Sequence, residues 1–109
     1  MKRRHSVLVS ATLAMALVMS ANQAHSEIKI GIAHSLSGPA ASQGIPQKQA
    51  IEMAIPAEIG GEKVRIVALD DATDPSVAAR NAKKLIEEEK VDIILGPTAT
   101  PSAIAMAQI

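Results

Sequence analysis

The stretch "LDDATDPSVAARNAKKL", Leu69–Leu85, decides how this chain is read. Asp70, Asp71 and Asp74 stand within five residues at the end of an apolar run. An acidic pair at a strand end can hold magnesium for phosphoryl transfer, as in a receiver domain of a phospho-relay. The same residues can close a turn and cap a helix, and that reading accounts for more of the stretch. Asp74 before Pro75 has the form of an N-cap followed by proline at the first helical position. Beyond it Ala78, Ala82, Leu85 and Ile86 share one helical face, with Arg80, Lys83, Lys84 and Glu87 on the other. Asp70 and Asp71 are then expected in a solvated or locally hydrogen-bonded turn. The acids Glu87–Glu89 oppose the helix macrodipole, a mild cost that water and the neighbouring lysines screen.

Upstream, "KVRIVAL" (Lys63–Leu69) reads as a strand, and "EIKIGIA" (Glu27–Ala33), with Ile28, Ile30 and Ile32 alternating, reads as another. Between them "HSLSGPAASQG" (His34–Gly44) reads as loop, punctuated by Gly38, Pro39 and Gly44. A helix is expected from about Ile45, with Pro46 tolerated in its first turn and Ala50, Ile51, Ala54 and Ile55 on one apolar face. Pro56 ends it, and "EIGGE" (Glu58–Glu62) is a turn. Downstream, "VDIIL" (Val91–Leu95) is a third strand, "GPTAT" a loop, and Pro101 opens a third helix.

The order strand, helix, strand, helix, strand, helix is an α/β pattern: two consecutive βαβ units and a parallel sheet covered on both faces. If the first helix carries the chain to a neighbouring strand and the second carries it back past the first, the first strand becomes central. The loops after the first and third strands then diverge and open a crevice at their carboxyl ends. Open α/β sheets bind ligands at such a switch point. His34–Gly44 and Gly96–Ser102 are the segments that would line it.

The 109 residues leave room for one small domain at most. With 48% hydrophobic residues and no Phe, Trp or Tyr, the core must be built from Ala, Val, Ile, Leu and Met, and it is light for its length. Lys2, Arg3 and Arg4 precede residue 27, so residues 27–109 carry 8 basic and 11 acidic side chains, a balance that favours neither nucleic acid nor an anionic membrane. The first 26 residues read as a signal peptide. "MKRRH" is a positive n-region, Val7–Met19 an apolar stretch of 13 residues, and Ala24-His25-Ser26 a small-residue cut site before Glu27. Thirteen residues fall short of the ~20 that span a bilayer. A soluble exported protein, in a bacterial periplasm, is the expectation.

Catalytic patterns are absent: no GxSxG, no phosphate-binding glycine loop, no cysteine at all. The acidic pair follows the second strand rather than the central one, and an export signal does not suit a cytosolic phospho-relay. No catalytic residue, metal site or cofactor is assigned. His34, the one histidine beyond residue 26, is expected at a surface or hinge. Thr98, Thr100 and Ser102 beside a helix N-terminus suit a small carboxylate, bound through hydroxyls and amide N–H groups. Thr100 also fits a plain N-cap. The pattern is one for holding a ligand.

The segments "IKIGIAHSLSGP", "DDATDPSVAARNAKKLI" and "VDIILGPTATPSA", in this order and spacing, resemble the solute-binding proteins of branched-chain amino acid type ABC importers. The resemblance spans residues 27–109 and implies the type I periplasmic binding fold, of which this would be an incomplete N-terminal lobe. It further implies capture of an amino acid or related small carboxylate for delivery to a membrane permease. By position in the motif, Thr98, Ala99 and Thr100 would hold the ligand carboxylate, with Thr100 giving the hydroxyl, and Ser42 and Gln43 would lie over the ligand. Leu/Ile/Val binders often have an aromatic where Gln43 stands, a departure that bears on the ligand. Thr73 and Ala99 stand where some members have a cysteine pair. A periplasmic sensory domain of the same fold is the alternative. The chain is expected to belong to a longer protein, with residues 27–109 folding poorly alone.

Overall fold

In the computed structural model, which describes residues 26–109, four strands and three helices alternate around one sheet. Strand β1 is Glu27–His34, helix α1 Ala41–Ala54, strand β2 Glu58–Ile59, strand β3 Glu62–Asp70, helix α2 Pro75–Glu87, strand β4 Ile93–Leu95 and helix α3 Thr100–Met106. The expected signal peptide lies outside the described residues but for Ser26. The sheet order is β2-β3-β1-β4. β1 is parallel to β3 from Glu27↔Lys63 to His34↔Asp70, and parallel to β4 from Ile30↔Ile93 to Ile32↔Leu95. The α/β, parallel-dominated architecture and the central place of the first strand are as expected from the element order.

The centre of the sheet shows why the sequence selects this arrangement. β1 is buried on both faces, at Ile30, Ile32, Gly31 and Ala33, as a strand between two parallel neighbours must be. Leu85 of α2 lies over Gly31, where even an added Cβ would come within 3.1 Å of it. Ala78, Ala82 and Leu85 are buried, the face the helical period marks, while Ile86 turns half to solvent. Asp74 caps α2: its carboxylate accepts from the N–H groups of Ser76 and Val77, at 2.7 and 3.3 Å. Asp92 joins β4 to β1 at both ends of one residue, its N–H donating to Lys29 C=O and its Oδ2 accepting from Lys29 N–H, each at 2.8 Å.

Four expectations need correction. The turn at Glu58–Glu62 is a tight hairpin whose two central glycines both have positive φ, 59° at Gly60 and 83° at Gly61. It adds a two-residue antiparallel edge strand. The ladder of β4 starts at Ile93 rather than Val91. Helix α1 begins at Ala41, four residues before Ile45, because Ala40 already accepts from the N–H groups of Gln43 and Gly44. Its supposed apolar face is not buried: Ala50 and Ala54 are exposed, Ile51 is half-buried and Met53 is 88% exposed. The apolar residues of α1 are spread around its circumference, and only Gly44 is buried, against the loops after β1 and β4.

Candidate functional site

The carboxyl ends of β1 and β4 carry the two segments that sequence reasoning places at the crevice, and the structure brings them together at one point. Gly44, in the first turn of α1, meets the loop after β4. A Cβ added there would fall 1.9 Å from Ser35 O and 2.9 Å from Thr98 Oγ1, so no larger residue fits without moving the helix. Ser42 and Gln43 therefore sit exposed on the helical first turn beside that contact, not in a loop as expected. Thr98, Ala99 and Thr100 stand opposite, in the connection that leaves the cis Gly96–Pro97 peptide and enters α3.

The three hydroxyls grouped by sequence separate in space. Thr98 Oγ1 accepts from Ser35 N–H at 3.1 Å and lies 3.2 Å from His34 Nδ1, one of that pair donating to the other. Its hydroxyl ties the loop after β4 to the end of β1. Ser102 is wholly buried. Thr100 alone is exposed. It is the first residue of α3 and not its cap; the N-cap is Ala99, which has no side-chain acceptor. The first backbone bond of α3 runs from Ala103 N–H to Ala99 C=O. The amides of Thr100 and Ser102 precede it and have no acceptor within the helix.

His34 is not a surface residue. It is the last residue of β1 and only 5% exposed. Burial pushes its pKa below the ordinary histidine value, against the opposing pull of the Asp71 carboxylate. The turn expected to be solvated or locally hydrogen-bonded is locally bonded: Asp70 and Asp71 accept from the N–H groups of Ala72 and Thr73, with Asp71 itself 0% exposed. Its Oδ1 accepts from Ser35 Oγ at 2.7 Å and from Thr73 N–H at 2.8 Å. Asp70 faces solvent and accepts from Ser37 Oγ at 2.6 Å and from the N–H groups of Leu36, Ser37 and Ala72. Slight desolvation pushes its pKa up, but the bonds from Ser37, Ala72 and Leu36 outweigh it and leave the carboxyl below its usual range. Asp70 is thus engaged by protein donors through both oxygens, and Asp71 through Oδ1, while its Oδ2 is buried without a partner. Among the described residues no group of three or more His, Asp or Glu is placed to hold a metal ion.

Sequence reasoning missed the inward roles of His34, Ser35 and Asp71, which depend on partners more than 30 residues away. The one sequence signal was polarity itself: a histidine and a serine directly continuing an apolar central strand.

Comparison with known proteins agrees with this fold. Residues 27–109 match the family described as periplasmic binding protein. A Leu/Ile/Val-binding protein homolog 7 of Brucella suis biovar 1 (strain 1330) is 32% identical over 99 residues, covering 86% of this chain and 25% of that protein. An extracellular ligand-binding receptor from Rhodopseudomonas palustris HaA2 superposes with TM-score 0.70 at 52% identity, covering 76% of this chain and 23% of that one. The solute-binding protein of an ABC transporter from Rhodopseudomonas palustris BisB5, in complex with 3,4-dihydroxybenzoic acid, gives TM-score 0.70 at 32% identity over 75% of this chain and 23% of its own. The chain thus spans about a quarter of the length of the relatives it matches. On the profile match across its whole described sheet and the agreement of fold, the chain belongs to the periplasmic binding protein family.

Proposed function

We propose that this chain forms part of the first lobe of an exported solute-binding protein that captures a small carboxylate, an amino acid or a related acid, for an ABC importer. The observation that carries this reading is the meeting of the first turn of α1 with the Thr98–Thr100 loop, at the carboxyl ends of adjacent strands β1 and β4. That is the switch-point crevice in which open α/β sheets hold ligands. The amides of Thr100 and Ser102 and the exposed Thr100 hydroxyl face the ligand carboxylate in this reading, with Ala99 giving close backbone approach. Gln43 and Ser42 lie over the rest of the ligand. Thr98 acts through its backbone, since its hydroxyl is already engaged. Export follows the signal peptide proposed for residues 1–26, and a membrane permease receives the ligand. No catalysis is involved.

Gln43 offers an amide where an aromatic ring would favour an aliphatic side chain, so polar and aromatic acids belong in the test beside the branched-chain amino acids. The experiment is calorimetric titration of the protein from its native cell with leucine, glutamine, benzoate and 3,4-dihydroxybenzoate. One of these binds, and Thr100→Ala weakens it about tenfold, the effect of a lost hydrogen bond to a charged group. Binding of none of them, or binding indifferent to Thr100→Ala, would overturn the assignment.

A further inference from the structure

The aspartate-rich turn after β3 has no part in the ligand reading above, yet its bonds lead to the candidate site. Three of the four donors on Asp70 come from the loop after β1: Leu36 N–H at 2.8 Å, Ser37 N–H at 3.1 Å and Ser37 Oγ at 2.6 Å. Thr73 supplies a second hold on the same loop. Its hydroxyl donates to Ser37 C=O at 3.2 Å and accepts from Ala40 N–H at 3.1 Å. Ala40 is the N-cap of α1 and has no side chain with which to fix the start of that helix. Between the two holds Gly38, with φ 77°, lies so close to the turn that a Cβ would come 2.4 Å from Ala72 O.

The turn is also strained. Ala72 and Thr73 both adopt left-handed backbone conformations, φ 51° and 61°. This region is unfavourable for any residue with a Cβ and most of all for a β-branched one. Glycine or asparagine at 73 would join β3 to α2 with less strain. Strain of this kind persists where surrounding contacts over-determine it, and it concentrates at binding sites. What Thr73 contributes in exchange is the hydroxyl between Ser37 and Ala40.

We infer that Asp70 and Thr73 are positioning residues for ligand binding: they clamp Leu36–Ala40 so that the first turn of α1 holds Ser42 and Gln43 at the crevice. The consequence for affinity rests on the function proposed above; the clamp itself does not. Neither residue touches the ligand.

The test compares Thr73→Val, which removes the hydroxyl at constant shape and backbone strain, with Thr73→Ser, which keeps it, in the protein as its native cell makes it. Amide hydrogen exchange is read, together with affinity by titration with leucine, glutamine, benzoate and 3,4-dihydroxybenzoate. Thr73→Val speeds exchange at Gln43 and Gly44, whose N–H groups bond Ala40 C=O, by about tenfold. Amides of α2 and β1 stay within about twofold, and the affinity falls about tenfold. Thr73→Ser restores both readouts to within about threefold. Asp70→Ala reproduces the Thr73→Val pattern. Uniform acceleration across α1, α2 and β1, or failure of Thr73→Ser to rescue, would show an ordinary contribution to stability and overturn the inference. If the wild-type protein binds its ligand and Thr73→Val binds it equally well, the clamp fails while the ligand reading stands. If no ligand binds but exchange follows the expected pattern, the ligand reading fails and the clamp stands.

Discussion

Thr98 is the residue on which the two candidate segments hinge. Its hydroxyl accepts the Ser35 N–H and meets His34 Nδ1, and both of those residues are buried. Thr98→Val keeps the shape but leaves a buried N–H without its acceptor, which costs about 1–3 kcal/mol. Thermal unfolding of the variant beside Thr98→Ser checks it: the valine form melts lower and the serine form recovers most of the loss. His34 carries a second prediction. Its pKa in the folded protein lies below the ordinary 6.5, so the unfolded chain binds the proton first. The stability due to neutral, buried His34 is therefore complete above pH 6.5 and is lost as pH falls through the lowered folded value. Asp70 acts in the same direction at more acid pH: its carboxylate bonds stabilise above the ordinary carboxylate range and are lost as pH drops through its own depressed value. Denaturant unfolding across pH 7 to 3 measures both windows. His34→Gln flattens the profile just below pH 6.5 and leaves the acid limb in place; an unchanged slope there would contradict the burial argument.

At the scale of elements, the two long helices contact the sheet in unlike ways. α2 lays a stripe of Ala78, Ala82 and Leu85 across it, and Leu85 is fully buried against Gly31. Leu85→Ala therefore opens a cavity in a core with no aromatic residue to refill it, at a cost of about 2–5 kcal/mol. α1 has one buried residue, Gly44 near its start, seated against Ser35 and Thr98 in the loops after β1 and β4. Gly44→Ala gains about 1 kcal/mol of helix propensity. Its methyl group would nevertheless meet Ser35 O at 1.9 Å, and relieving that contact means moving the whole first turn. The expected result is a lower melting temperature together with weaker ligand binding, where propensity alone predicts a higher one. A more stable Gly44→Ala with unchanged affinity would show that α1 is not seated as described. The asymmetry also explains which helix was legible in advance. The period of α2 is written in its sequence because its whole length is buried on one side. The apparent face of α1 was misleading because Ala50 and Ala54 on it stay exposed and only Gly44 of the helix is buried.

At the scale of the molecule, β4 closes one end of the described sheet with three residues, and Ile93 on it is 52% exposed. Ile104 and Ile109 are more than half exposed as well. An open parallel edge with apolar side chains around it is a site for pairing with other chains. Residues 27–109 expressed alone are expected to associate at micromolar concentration and to melt without a cooperative transition, as size-exclusion chromatography and circular dichroism would show. Ile93→Lys would reduce that association. A monomer with a sharp melt would contradict the expectation.

The sequence by itself determined the alternation of strands and helices, the cap at Asp74, the buried face of α2 and the central place of β1. The first three follow from short-range rules, a period of two or 3.6, a capping side chain, a proline at the start of a helix, and the last from the order of the elements. It also placed Ser42, Gln43 and Thr98–Thr100 at the carboxyl end of the sheet, because chain order fixes which loops flank the switch point. Only the tertiary structure decided what those side chains do. Thr98 turns inward to Ser35 and His34, Asp71 is buried against Ser35, and Asp70 and Thr73 grip a loop some 33 to 36 residues earlier in the chain. Such roles depend on polar groups from distant segments finding one another as the parallel strands align. No local pattern records that, since a serine or aspartate in a turn reads the same whether its partner is water or a strand on the far side of a helix.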